Sequence, residues 1–227
     1  MYVFGVNHQN LHPVQEIPML IVYEKKELPS ALKRVLGGNL PGFVVKAATY
    51  PNFETLKALE IHNEISKTVK TSLENITQTD FRVTAAPNPL SIWPHIGIGE
   101  LHTDLETAKP YTTTLMSVHT TAVGAGRVLL AQPGSQMQKV SDTYRSTGLY
   151  SNDIWTYERT ANRQLKTGSV DPKLVNPIFH TTDVEAGDTT IFPLQLDRGP
   201  IFHRFDTTTE PRTAISTLIE SCQVIEL

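Results

Sequence analysis

Short β-branched runs cut by glycine and proline constrain this chain more than any other feature. Residues 19–23, 42–47, 111–119, 126–131, 199–205 and 211–219 are rich in Val, Ile, Thr and Phe, and Gly37-Gly38, Gly124, Pro133-Gly134 and Pro211 stand between them. Runs of this length and composition read as strands. Residues 80–84 and 90–93 read as edge strands, broken by Pro87, Pro89 and Pro94, because proline cannot donate to a central ladder. Many short strands with turn residues between them imply a mainly antiparallel β sandwich or jelly roll.

Two helices stand against this background. Residues 29–36 are helical, with Gly37-Gly38 as the stop signal. Residues 53–74 carry Phe53, Leu56, Leu59, Ile65, Val69 and Leu73 near a 3.6 spacing, which predicts an amphipathic helix buttressing a sheet. Within it His62-Asn63-Glu64 could pass for a metal-binding pair. Residues two apart on a helix point roughly 200° apart, however, so His62 is expected to be surface or core filler. His8 and His12 are spaced for a helical pair, but Pro13 follows and no third ligand is near.

The chain has 227 residues, enough for one domain with a core that needs no disulfide. A net charge of −3 and the lack of any Lys/Arg block argue against nucleic-acid or anionic-membrane binding. No window approaches the length of a membrane span and no secretion signal is evident, so a soluble cytoplasmic protein is expected. Cys222, the one cysteine, sits in an apolar run and is expected to be a small buried residue.

The chemistry concentrates in the second half. In an extended strand residues i and i+2 share a face, so His102 and Asp104 of Leu101-His102-Thr103-Asp104 can converge on one metal ion at the end of a strand over 96–101. His203 lies in a second apolar strand and Arg212 opens a third, nine residues later. Two histidines and one carboxylate form a facial triad that leaves one side of an octahedral iron open.

The order His102-x-Asp104, His203, Arg212 resembles the signature of the Fe(II)/2-oxoglutarate-dependent oxygenases. The run Glu185-Ala186-Gly187-Asp188-Thr189-Thr190-Ile191-Phe192-Pro193 is similar to the turn and strand that precede the distal histidine in that family. About half of the chain, roughly 96–219, takes part. The resemblance implies a double-stranded β-helix (a jelly roll, cupin-like) buttressed by N-terminal helices: one domain over 1–227, with 1–95 as helix and strand support and 96–219 as core, and an insertion near 135–183. It implies Fe(II) held by His102, Asp104 and His203, with 2-oxoglutarate as co-substrate and dioxygen as oxidant. Arg212 would fork onto the distal carboxylate of 2-oxoglutarate, a geometry that lysine cannot match. Many members carry a serine two residues beyond this arginine, where this chain has Ala214. Ser216, Thr112 or Thr114 is expected to supply the second contact.

Oxidative decarboxylation of 2-oxoglutarate to succinate would then be coupled to oxidation of a small molecule such as an amino acid or metabolite. With Asp104 in place of the small residue found in halogenating members, hydroxylation, desaturation or cyclisation is expected, hydroxylation first. Residues 135–183 shift to Ser, Thr, Tyr, Arg and Asn and read as a lid, with Tyr144, Arg145, Tyr150, Tyr157 and Arg159 available to a polar substrate. His95, His119 and His180 read as structural, with His119 near enough to line the pocket. A cupin-like metal-binding sensor or a zinc-dependent hydrolase would use the same histidines. A homo-oligomer is compatible with everything above.

Overall fold

A computed structural model describes residues 15–47, 57–93, 115–133, 175–196, 199–207 and 210–222. Their elements in chain order are β1 (Gln15–Pro18), β2 (Leu20–Val22), a 3-10 turn, α1 (Leu28–Leu36), β3 (Phe43–Val45), α2 (Ala58–Thr77), β4 (Phe81–Trp93), β5 (Leu115–Val123), β6 (Gly126–Pro133), β7 (Val175–Val184), β8 (Thr189–Pro193), β9 (Gln195–Leu196), β10 (Gly199–Pro200), β11 (Phe202–Thr207) and β12 (Arg212–Ser221). A six-stranded sheet in the order β2-β3-β8-β5-β12-β4 faces a four-stranded sheet in the order β1-β7-β6-β11. The fold is mainly β, a jelly roll with helices against one side.

Strand alternation divides the large sheet into two buried faces. Met116, Val118, Ile191 and Ile219 pack with Leu32 and Val35 of α1 and with Ile65, Val69 and Leu73 of α2. Val44, Phe192 and Leu218 point the other way and meet Val128, Leu130 and Phe205 of the small sheet. The helices are therefore one layer and the sheets two more. Strands from before residue 96 enter both sheets: β1 pairs with β7, β2 with β3, and β4 with β12.

The two segments expected as broken edge strands are one strand, β4, at the edge of the large sheet. Between the pairs Ala85↔Thr217 and Leu90↔Ile215, β4 advances five residues while β12 advances two, and Pro87 and Pro89 fall in that slack. A bulge absorbs prolines that a regular ladder would reject. The stretch 135–183 is also shorter as an insertion than its composition implies, because its end is β7. The rest of it lies outside the described residues, as do His8 and His12.

Two side chains correct the sequence reading, and a third, His62, takes the core alternative with hydrogen bonds added. Leu59 is 55% exposed. It sits two residues from Ile61, hence on the far side of α2 from the buried face. Cys222 is exposed, because β12 ends at Ser221 and only the Cys222 backbone, donating its N–H to Asp80 O at 2.8 Å, still follows the sheet. His62 is fully buried and bonded rather than filler: Nδ1 lies 2.8 Å from Thr120 Oγ1 and Nε2 3.2 Å from Thr217 Oγ1. It fastens α2 to the back of β5 and β12, and burial holds its pKa down at about 4. No helix among the described residues is long and apolar enough to cross a membrane.

Candidate functional site

β12 alternates strictly after its proline start, so Arg212, Ala214, Ser216 and Leu218 turn toward the small sheet while Thr213, Ile215 and Thr217 turn away. Arg212 is 1% exposed. Its guanidinium lies 4.1 Å over the Phe205 ring, and Nε and Nη2 donate to Thr121 Oγ1 at 3.2 and 2.9 Å. Among the described residues no carboxylate pairs with it. Burial alone pulls its pKa down to about 10, so the side chain remains a cation near neutral pH.

Thr121 is the residue that sequence reasoning missed. The strand was expected to end at His119, but the ladder with β12 runs on to Val123. Extending the period of two from Ser117 and His119 would have placed Thr121 on the same face. The backbone of Thr121 is gripped by the turn before β8. Its N–H donates to Asp188 O at 2.9 Å and its carbonyl accepts from Gly187 N–H at 2.7 Å. Gly187 adopts a φ of 94°, a conformation that a side chain would strain. The Asp188 carboxylate locks the same turn by accepting from Glu185 N, Ala47 N and Lys46 Nζ at 2.7–2.8 Å. The Ala186-Gly187-Asp188 run thus serves the arginine site through Thr121.

His203 approaches from the small sheet. It is 2% exposed on β11, on the face it shares with Phe205. Around it stand Phe192, with ring centroids 4.8 Å apart, and His119, at 5.7 Å. Ser216 does not reach Arg212; its hydroxyl is 2.7 Å from Nδ1 of His119, and Ser117 Oγ is 2.7 Å from Nε2 of the same ring. His180 joins the same small-sheet face by pairing with Leu130, which pairs in turn with His203. Burial lowers its pKa.

Arg212, Ser216 and His203 are therefore brought to one inter-sheet space, together with Thr121 and His119. His102, Asp104, Thr112 and Thr114 lie outside the described residues, and so do Tyr144, Arg145, Tyr150, Tyr157 and Arg159. Among the described residues no three His, Cys, Asp or Glu side chains converge on one point. The donors present nonetheless suit an iron-bound 2-oxo acid: a buried imidazole on one sheet, and on the other a buried cation whose hydrogen-bond partner is a neutral hydroxyl.

No family model matches the sequence, and no curated protein matches it. Solved structures that match include the apo form of the Kdo hydroxylase KdoO, a non-heme Fe(II) alphaketoglutarate dependent dioxygenase, at a TM-score of 0.41 and 11% identity over 92% of this chain and 89% of that one. The same enzyme in complex with alphaketoglutarate and Fe(III) matches at a TM-score of 0.40 and 11% identity over 90% and 89%. This is a distant likeness that adds no residue to the site, whose chemistry rests on the side chains of this chain.

Proposed function

We propose that the protein is a non-haem Fe(II)- and 2-oxoglutarate-dependent dioxygenase that oxidises, most simply hydroxylates, a small molecule. One observation carries the reading: Arg212 is a buried cation with a hydroxyl for its hydrogen-bond partner and no carboxylate among the described residues. Burying a charge costs several kcal/mol, of order 5, unless an opposite charge meets it. A guanidinium in that position is prepared for an anion, and its fork matches a carboxylate. A zinc hydrolase or a metal-binding sensor has no use for it.

In this reading Arg212 and Thr121 hold the distal carboxylate of 2-oxoglutarate, and His203, with His102 and Asp104 of the sequence motif, holds Fe(II). The iron, when bound, supplies the activation of dioxygen that couples substrate oxidation to formation of succinate and carbon dioxide. The chain supplies orientation and dryness. Phe192 and Phe205 line the space beside His203, and the low dielectric they impose strengthens the Arg212–carboxylate pairing.

Anaerobic visible absorption tests the reading, with Fe(II) and then 2-oxoglutarate added to the apo-protein. A metal-to-ligand charge-transfer band that is lost in Asp104→Ala and weakened in Arg212→Ala is expected. Absence of any band, with zinc retained instead, would reject it.

A further inference from the structure

Between Arg212 and His203 runs a continuous ring wall. The guanidinium rests on Phe205, Phe205 lies 5.5 Å from His119, and His119 lies 5.7 Å from His203. On β5 His119 is two residues from Thr121, so it shares that face at about 7 Å along the strand. Its ring thus stands in the wall that flanks the stretch between the group that grips one end of the co-substrate and the imidazole at the other.

The ring is fixed in that place. Its two nitrogens lie 2.7 Å from the hydroxyls of Ser216 and Ser117, which are 2% and 1% exposed, and its face stacks on Phe192 at 5.3 Å and 10°. Turning it aside would strip two buried hydroxyls of their partner, which opposes yielding to a larger ligand. A side chain tethered so firmly in a wall sets the size of the space beside it.

We infer that His119 is the residue that selects the length of the 2-oxo acid, admitting a five-carbon diacid between Arg212 and the metal and rejecting a six-carbon one. This rests on the oxygenase reading of the site. Ser117 and Ser216 act as positioning residues, through the ring they hold. Removing the imidazole opens a void that one additional methylene can fill, whereas untying it lets the ring give way.

Anaerobic calorimetric titration of the Fe(II)-loaded protein with 2-oxoglutarate and with 2-oxoadipate tests this, with thermal melts to verify folding. The wild type is expected to favour 2-oxoglutarate about ten-fold or more, the discrimination that one methylene commonly brings. His119→Ala should shrink that preference to within about three-fold, chiefly by tighter binding of 2-oxoadipate. The double variant Ser117→Ala/Ser216→Ala, which keeps the ring, should move the ratio in the same direction and decides the matter if His119→Ala does not fold.

An unchanged ratio in a folded variant, equal weakening of both ligands, or a wild type without preference would overturn the inference alone. A wild type that binds neither oxo acid would overturn the oxygenase reading and the inference with it.

Discussion

Thr121 Oγ1 accepts two hydrogen bonds from the Arg212 guanidinium, from Nε at 3.2 Å and Nη2 at 2.9 Å, and these are the polar contacts that orient a fully buried cation. The two residues lie on neighbouring strands of one sheet, where Thr121 pairs with Ala214, which shares a face with Arg212. Thr121→Val should therefore keep the fold and weaken 2-oxoglutarate binding by about ten-fold or more, as expected for a lost hydrogen bond to a charged group. Thr121→Ser should restore most of it. Calorimetry on the three proteins checks this; equal affinities would remove Thr121 from the site.

Arg212 should prove to be a functional residue held at a cost in stability. Replacing even a buried ion pair with apolar side chains of similar volume is often neutral or stabilising by about 1–4 kcal/mol, and a buried charge without a counter-charge has less to lose. Arg212→Met is accordingly expected to leave the apo-protein at least as resistant to urea as the wild type. The same variant should lose the stabilisation that Fe(II) with 2-oxoglutarate confers. A strongly destabilised apo variant would mean that the arginine serves the fold.

His62 links stability to pH. Its folded pKa, about 4, lies below the ordinary histidine value of 6.5. Between these limits the unfolded chain binds the additional proton, so stability rises with pH through this window. The contribution is fully present above about pH 6.5 and is lost as pH falls toward 4, by about 3 kcal/mol in all. His62→Gln should flatten that part of the profile. Parallel urea melts of both proteins from pH 4 to pH 7 measure it, and identical slopes would refute it.

Gly187→Ala places a side chain where φ is 94°. A strain cost of roughly 1–3 kcal/mol is expected. The turn's own bonds also hold the backbone of Thr121, so weaker 2-oxoglutarate binding should accompany the lower melting temperature. Lower stability with unaltered affinity would show that the turn does not position the arginine site.

The spacing of strands, turns and helices was legible in the sequence because each is a local property. Short β-branched runs between turn residues gave β3, β5, β6, β11 and β12, and Pro29 with Gly37-Gly38 bracketed α1. Arg212 and His203 could be named as well, since their order along the chain is itself a pattern. The bonding of Arg212 to Thr121, of Ser216 to His119 and of His62 to Thr120 and Thr217 was not legible. Each depends on which strand lies beside which, and on how far a ladder continues past the last apolar residue.

The order of residues along the chain is enough to encode a mainly β fold, and which side chains alternate to each face of its strands, because backbone geometry ties side-chain direction to position. It took the folded arrangement to bring a hydroxyl on β5 to the arginine on β12, to give Ser216 to His119, and to seat the prolines of β4 at a bulge. Such pairings join residues about 90 apart, as Thr121 and Arg212 are. Their partners are chosen by which strands lie side by side in the sheet, which no local run of residues encodes.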